Sequence, residues 1–158
     1  MAEPLADNVM QKIYQAAELY HRLVMLVAPA GAGKTTALRD VHERTGAPLV
    51  NVNLEISRRM LDLTGRQRAL QLPRLLSEIV EMPHNELILL DNIEILFDVS
   101  LKQDPLRLLQ GLSRNWTVVA AWNGSIHNDQ IAYATPDHPE YRRYPVRDFL
   151  VVSSEVTA

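Results

Sequence analysis

The chain has 158 residues, which is enough for one compact domain and too few for two full ones. Its 47% hydrophobic and 22% charged residues are typical of a globular protein, and the formal net charge of −3 argues against binding duplex DNA or anionic membrane over its whole surface. The absence of cysteine excludes disulfide frameworks, thiolate-held metal sites and thiol nucleophiles, and it is compatible with the cytoplasm.

The first half of the sequence predicts alternating helices and short buried strands. Its start lacks a basic segment followed by an apolar run, so we expect no signal peptide, no transmembrane helix and a cytoplasmic location. The spacing of apolar residues predicts an N-terminal helix over about 7–21. There follow a strand over 23–27, a helix over 33–44, a strand over 49–54 and a helix over 73–81 that begins at its proline.

The second half predicts three more strands and one long irregular segment. The strands cover 86–91, 116–122 and 148–152. A helix over 104–112 has a proline in its first turn, and the polar, proline-containing stretch 128–144 is predicted to be a functional loop. Continuous apolar strands that alternate with helices are typical of a parallel sheet covered on both faces, so we predict an α/β fold.

A phosphate-binding loop joins the first predicted strand to the helix after it. Its residues are Ala28, Pro29, Ala30, Gly31, Ala32, Gly33, Lys34, Thr35 and the following Thr36, with alanine in place of the usual first glycine. Small residues let backbone N–H groups wrap around phosphate oxygens, and the helix N-terminus favours the anion. We expect Lys34 to contact the β- and γ-phosphates and the Thr35 hydroxyl to contact Mg²⁺. The predicted ligands are therefore ATP and Mg²⁺, with GTP as the alternative nucleotide.

The second half of the predicted site follows the strand over 86–91. Asp91 at its end is expected to hold the Mg²⁺ with Thr35, because this ion needs a carboxylate nearby. In many ATPases of this layout the next residue is a glutamate that polarises the attacking water, and here it is Asn92, whose amide cannot accept a proton. Glu94 is the candidate general base. The alternative is that Glu94 is a solvated residue of a helical turn and hydrolysis is slow.

Two further features are candidates for contact with the γ-phosphate. Asn123, after the strand over 116–122, can hold the attacking water or sense the γ-phosphate, although Asn-Gly is also a common turn sequence. Arg142 and Arg143 precede the last predicted strand, where an arginine finger can reach the nucleotide of a neighbouring subunit. That interpretation implies a homo-oligomer; the alternative is a pair of ordinary surface residues.

Five arginines lie close together after the second predicted strand. They are Arg58, Arg59, Arg66, Arg68 and Arg74. Such a group can bind DNA phosphates, the acidic face of a partner or the next protomer. It contains no aromatic residue, which argues against stacking on single-stranded bases, and a solvated pair of arginine-rich helices is the equal alternative.

The order of these motifs resembles the core of AAA+ ATPases, within the ASCE group of P-loop NTPases, over about 23–152. The phosphate loop, the strand ending at Asp91, the strand before Asn123, the arginine pair and a final strand follow one another as in that family. The resemblance implies a three-layer α/β fold with a five-stranded, mostly parallel sheet of order 5-1-4-3-2, in a single domain over 1–158. We expect no C-terminal helical lid after the last strand, and so no second sensor arginine.

Three segments also resemble the BrxF family of small P-loop proteins from type III bacteriophage-exclusion (BREX) systems. They are 51–59 (NVNLEISRR), 90–98 (LDNIEILFD) and 138–144 (HPEYRRY). With the phosphate loop they extend over nearly the whole chain. The resemblance implies a cytoplasmic subunit of a bacterial or archaeal anti-phage complex that works with a large ATPase, a methyltransferase and an alkaline-phosphatase-like protein. It also implies that Asn92 is a family trait.

Three functions compete on these residues. The first is a Mg-ATP-dependent NTPase whose nucleotide binding and hydrolysis drive or gate assembly of the defence complex on DNA. The second is a nucleotide-sensing regulatory subunit with little intrinsic hydrolysis, which Asn92 and the missing lid favour. The third is a small-molecule kinase, which needs an arginine-bearing lid and a substrate-binding acid, and for which the stretch 128–144 is the candidate lid.

Overall fold

The computed structural model describes residues 4–81 and 86–153, which form five α-helices and seven β-strands. The helices are α1 (Pro4–Ala16), α2 (Lys34–Thr45), α3 (Val52–Met60), α4 (Gly65–Glu81) and α5 (Pro105–Leu112). The strands are β1 (Leu23–Ala28), β2 (Leu49–Asn51), β3 (Leu87–Asp91), β4 (Thr117–His127), β5 (Gln130–Tyr133), β6 (Arg142–Pro145) and β7 (Leu150–Ser153). Two short 3₁₀ helices, Glu94–Phe97 and Val99–Leu101, lie between β3 and α5. No helix in the two described ranges is long and apolar enough to cross a membrane.

The strands form one sheet whose parallel part has the order β2-β3-β4-β1-β7. The last four residues of β4 pair with β5 in antiparallel fashion, and β5 pairs in the same way with β6. The predicted sheet of five strands in the order 5-1-4-3-2 is therefore wrong in strand number and in order. The described residues contain seven strands, and the strand beside β1 is the seventh along the chain instead of the fifth. Because β1, β3 and β4 run parallel, their carboxyl ends meet at one edge of the sheet.

A hairpin accounts for the two strands that the sequence pattern does not predict. The predicted fourth strand runs on to His127, and the predicted loop over 128–144 contains β5 and β6. Asn128 and Asp129 have positive φ angles of 51° and 59°, which a two-residue type I′ hairpin turn requires and these residue types tolerate. The prolines of the segment indicate a loop. Pro145 is nevertheless the last residue of β6, an edge strand, and edge strands tolerate proline.

Alternate residues of the central strands face two apolar cores. Val24 and Leu26 of β1 pack with α1 and α2 on one face of the sheet. Leu23, Met25 and Val27 pack with α3, α4 and α5 on the other. Burial on both faces explains why this strand is continuously apolar, and it means that the loop after β1 starts from a fixed support.

The second predicted strand is shorter than expected, because a helix begins inside it. β2 ends at Asn51, whose side-chain Oδ1 accepts a hydrogen bond from the Leu54 N–H at 3.1 Å and so caps α3. The predicted strand over 49–54 therefore supplies β2 and the first turn of α3. The apolar pattern does not distinguish the two structures, since Val52 reaches the core from a helix as it would from a strand.

Helix α4 passes through Pro73 instead of starting there. It has 17 residues, and a proline in its interior cannot donate the hydrogen bond that the Ala69 carbonyl would otherwise receive. The Gln103 side chain replaces that donor, because its Nε2 donates to the Ala69 carbonyl at 2.6 Å. The predicted helix over 73–81 is thus the second half of a longer helix whose lost bond is restored from the loop before α5.

Two other predicted elements have shifted ends. The N-terminal helix, predicted over 7–21, ends at Ala16, and the carbonyl of Ala16 accepts from the Leu19 N–H at 2.9 Å in the turn that leads to β1. The strand predicted over 148–152 begins at Leu150, because Asp148 has a φ angle of 60°, which lies outside the extended region.

Candidate functional site

The loop between β1 and α2 turns around two glycines. Gly31 and Gly33 have positive φ angles of 81° and 92°, a conformation that strains residues with a side chain. The Ala32 N–H donates to the Pro29 carbonyl at 3.2 Å, which closes the turn. Helix α2 starts directly afterwards, and the N–H groups of a first helical turn have no acceptor within the helix. The loop therefore has the form of an anion-binding cradle.

A cavity of about 350 Å³ opens in front of this loop, at the edge where β1 and β3 end beside the middle of β4. It is lined by Ala30, Gly31, Gly33, Lys34, Thr35, Thr36, Asp91, Asn92, Glu94, Ala121 and Asn123. The residues predicted to contact phosphate, Mg²⁺ and the attacking water thus lie together. Ala28, Pro29 and Ala32 belong to the loop without lining the cavity. Ala121 is a lining residue that the sequence analysis does not single out.

Lys34 is buried at the base of the cavity. The residue is 6% exposed, and its Nζ donates to the carbonyls of Ala28 and Pro29, both at 2.8 Å. Burial lowers the pKa of Lys34 from its ordinary value of 10.5, and the negative charges of Asp91 and Glu94 oppose that shift. The two carboxylates thereby favour the ammonium form, which is the form that binds phosphate.

Thr35 and Asp91 form the oxygen pair predicted for Mg²⁺. Thr35 Oγ1 donates to Asp91 Oδ2 at 2.7 Å, and Asp91 Oδ1 accepts from the Asn92 N–H at 2.9 Å. A hydroxyl and a carboxylate are hard oxygen ligands that fit Mg²⁺. In the part of the chain that the structure describes, no group of three or more histidine, aspartate or glutamate side chains is placed to hold a metal ion.

Glu94 reaches the cavity beside Asn123. Burial is the largest cause that raises the pKa of Glu94 above its ordinary value of 4.5, and the charge of Asp91 adds to the rise. Hydrogen bonds from its own backbone N–H and from the Asn123 side chain lower the pKa, as does the charge of Lys34. A half-buried carboxylate with a raised pKa beside a phosphate cradle is the arrangement expected of a general base.

The backbone explains why residue 92 is an asparagine. The φ angle of Asn92 is 53°, in the left-handed region, which asparagine tolerates better than most residues with a side chain. A glutamate at this position would be strained. The turn at Asn92 brings the chain back toward the cavity, so that Glu94 lines it two residues later.

Arg142 and Arg143 lie on β6 and do not line the cavity. Arg142 Nη2 donates to the Gln103 carbonyl at 2.9 Å, so this side chain connects β6 to the loop before α5. Arg143 is exposed and lines a separate surface pocket with His127 and Tyr141. A contact with nucleotide would have to be made in a neighbouring subunit, which stays a prediction.

The five arginines of the predicted basic group lie on α3 and α4, and none of them lines the cavity. Three form ion pairs with acids on their own helix: Arg58 and Arg59 with Glu55 at 3.6 and 2.8 Å, and Arg74 with Glu78 at 3.0 Å. These acids offset part of the positive charge that the sequence pattern indicates. A contact with DNA through this group stays a prediction.

Asn53 holds the segment that carries Glu94, and the sequence analysis does not single it out. The Asn53 N–H donates to the Asn92 carbonyl at 2.9 Å, and its Oδ1 accepts from the Ile95 N–H at 2.8 Å. The apolar pattern places Asn53 in a strand. The one available signal is that asparagine is common at the start of helices, where its side chain accepts from backbone N–H groups.

Comparison with known proteins supports the fold. No family model and no curated protein matches the sequence. Among solved structures, the chain is similar to PCH-2 of C. elegans, an AAA+ ATPase, with a TM-score of 0.50 and 16% sequence identity. The match covers 94% of this chain and 43% of the PCH-2 chain, so this chain spans less than half of that protein's length. The likeness supports, at the level of the fold, the predicted α/β arrangement with a mostly parallel sheet.

Proposed function

We propose that the chain is a P-loop NTPase that binds Mg-ATP in the cavity at the ends of β1 and β3, beside the middle of β4, and hydrolyses it. One observation carries the proposal: the phosphate loop, the Thr35–Asp91 oxygen pair and the Glu94–Asn123 pair converge on one cavity. The fold supports it, because open parallel sheets bind ligands outside the carboxyl ends of their strands. A volume of about 350 Å³ is within the range of small-molecule sites.

Each group has a distinct task in this proposal. The N–H groups of the loop and of the first turn of α2 bind phosphate oxygens, and Lys34 neutralises charge on the β- and γ-phosphates. Thr35 and Asp91 would hold Mg²⁺, which neutralises phosphate charge when bound. Glu94 accepts a proton from the attacking water, and Asn123 orients that water or contacts the γ-phosphate.

A nucleotide-sensing subunit with little intrinsic hydrolysis is the second candidate. It is favoured by the Asn123 side chain, which lowers the pKa of the Glu94 carboxyl and so makes Glu94 a weaker base. Replacement of the usual glutamate by Asn92 favours it as well. A small-molecule kinase is the least favoured function, because the stretch 128–144 that would be its lid contributes β5 and β6 to the sheet.

Glu94→Gln separates hydrolysis from sensing. We expect it to lower ATP turnover by about 100-fold or more, the usual contribution of a general base, while Mg-ATP still binds. Phosphate release and equilibrium binding are the two measurements. Glu86→Gln is the matched control, because Glu86 is exposed and precedes β3 at the opposite end of that strand. Turnover that survives Glu94→Gln would exclude Glu94 as the base.

The same variant has a signature in the dependence of turnover on pH. A general base acts as the carboxylate, and a raised pKa means that Glu94 takes up a proton at a higher pH than an ordinary glutamate does. Turnover of the parent protein should therefore fall as the pH decreases, with a midpoint above 4.5. The residual turnover of Glu94→Gln should lack this decrease.

We further propose a homo-oligomer in which Arg143 reaches the cavity of a neighbouring copy. Arg143 is exposed on the edge strand β6, whereas Arg142 is bonded to Gln103. Arg143→Ala should lower turnover per molecule only at concentrations where copies associate, and Arg147→Ala, which changes another exposed arginine, should not. Turnover is measured against concentration together with the mass in solution. The same dependence of turnover on concentration in both variants would contradict an arginine finger at Arg143.

The cellular setting that we propose is a cytoplasmic anti-phage BREX complex. The support is the resemblance of 51–59, 90–98 and 138–144 to BrxF proteins. The partners would be a large ATPase, a methyltransferase and a phosphatase-like protein, and nucleotide binding and hydrolysis would drive or gate assembly on DNA, with the arginines of α3 and α4 as candidate DNA contacts. Purification of the tagged chain from cells that encode such a system tests this. A complex without these three proteins contradicts it.

A further inference from the structure

Asn53 makes hydrogen bonds to the backbone on both sides of Glu94. Its N–H donates to the Asn92 carbonyl at 2.9 Å, and its side-chain Oδ1 accepts from the Ile95 N–H at 2.8 Å. Glu94 lies between these two attachment points. One residue of α3 therefore fixes the short segment 92–95 that carries the candidate general base.

The geometry of the two elements makes these bonds possible. Asn53 is in the first turn of α3, where a backbone N–H has no acceptor within the helix. The left-handed turn at Asn92 presents its carbonyl to that N–H. Val52 and Ile56 of the same helix are fully buried in the core, so α3 is a firm support for the segment.

We infer that Asn53 is a positioning residue, which holds the segment 92–95 so that the Glu94 carboxylate faces the phosphate cavity. The inference rests on the proposed function, which gives Glu94 a reaction to serve. Asn53 does not line the cavity. It acts through the backbone of its two neighbours in space, Asn92 and Ile95.

Removal of the Asn53 side-chain amide releases one end of this segment. The Ile95 N–H loses its acceptor, whereas the backbone bond to the Asn92 carbonyl remains. A reacting group displaced by about 1 Å costs on the order of 100-fold in rate. Asp91 keeps its bond from Thr35, and the end of the segment at Asn92 keeps its backbone bond to residue 53, so Mg-ATP binding should not change.

Asn51→Ala is a matched control for Asn53→Ala. Both residues lie at the start of α3, and each variant removes a side-chain oxygen that accepts a hydrogen bond from a backbone N–H. The difference lies in the donor, which for Asn51 is Leu54 of the same helix and for Asn53 is Ile95 of the Glu94 segment. Asn51→Ala therefore removes the cap of α3 and shows what loss of helix stability alone does to turnover. Asn53→Asp keeps an acceptor oxygen and is the conservative rescue.

We expect Asn53→Ala to lower turnover at saturating Mg-ATP by about 10- to 100-fold, with unchanged Mg-ATP binding. Asn51→Ala should keep the turnover of the parent protein, and Asn53→Asp should restore most of it. Amide hydrogen exchange at Ile95, measured without nucleotide, should become faster in Asn53→Ala and not in Asn51→Ala. This second measurement reports the hold on the segment independently of hydrolysis.

Equal turnover in Asn53→Ala and Asn51→Ala would overturn the inference, and so would unchanged exchange at Ile95 in Asn53→Ala. Failure of the proposed function shows in the parent protein itself, which would then bind no Mg-ATP or bind it without turnover. A parent protein that binds Mg-ATP without turning it over would also overturn the inference, since Glu94 would then have no reaction for which to be positioned.

Discussion

Lys34→Ala is expected to weaken Mg-ATP binding by about 10- to 150-fold, the range that follows from losing charge-assisted hydrogen bonds of about 1.5–3 kcal/mol. Lys34 is the cation of the phosphate loop and lies at the base of the cavity. Without its charge, the phosphates would face Asp91 and Glu94 across the cavity with less compensation. Equilibrium binding of Mg-ATP measures the effect directly.

The same variant should not unfold the protein. Burial disfavours the Lys34 ammonium, as its lowered pKa shows, so its removal takes away a group that is costly to bury along with two hydrogen bonds. Thermal unfolding should therefore stay near that of the parent. Lys12→Ala, on α1, is the control for removal of a lysine elsewhere. An unchanged affinity in Lys34→Ala would remove the loop from the proposed function.

Gly124→Ala is expected to destabilise the fold by about 3 kcal/mol, at the upper end of the cost of overpacking. A Cβ on Gly124 would lie 1.7 Å from the Ala132 carbonyl oxygen and 2.9 Å from its carbon. Both atoms are backbone, so no side chain can move aside. The same carbonyl accepts from Trp122 Nε1 at 3.1 Å, so a shift of β5 also breaks that bond. Denaturant unfolding measures the loss.

Gly111→Ala is the matched control for this variant. Gly111 lies in α5, and among the described residues nothing comes within 4 Å of the Cβ it lacks. Alanine in a helix is favoured over glycine by roughly 0.5–1 kcal/mol, so this variant should be as stable as the parent or more stable. Gly124→Ala should also lower turnover, since Asn123 is its neighbour. Equal stability of the two variants would contradict the close approach of β4 and β5.

The sequence predicts the parts of the site whose geometry follows from nearby residues or from the parallel order of the strands. Gly31 and Gly33 determine the turn of the loop, because both need positive φ angles, and the strand and helix on either side follow from the apolar pattern. Thr35 and Asp91 are 56 positions apart, yet they meet because Asp91 ends β3 and Thr35 lies just after the loop that follows β1, in the same parallel sheet. Asn123 lies within β4, at the point where the parallel pairing of β4 with β1 ends, and so reaches the same cavity.

The parts that sequence does not predict depend on partners far along the chain. Pro73 lies inside α4 without leaving the Ala69 carbonyl unpaired, because Gln103, 34 positions after Ala69, supplies the donor. The role of Asn53 depends on Ile95, which is 42 positions away. Local helix and strand propensities do not report such bonds, because the same residue type occurs in many structures where no such partner is present.

The proline of α4 makes three distant positions depend on one another. Because Pro73 leaves the Ala69 carbonyl without a helical donor, Gln103 binds it, and the Gln103 carbonyl in turn accepts from Arg142 on β6. A relative with an ordinary helix residue at position 73 would keep that carbonyl for its own helix and leave an amide at position 103 only its bond to the Leu101 carbonyl. In evolutionary terms, Pro73 and Gln103 should be kept or lost together, while Arg143, which this chain of bonds does not include, should vary with the surface it meets.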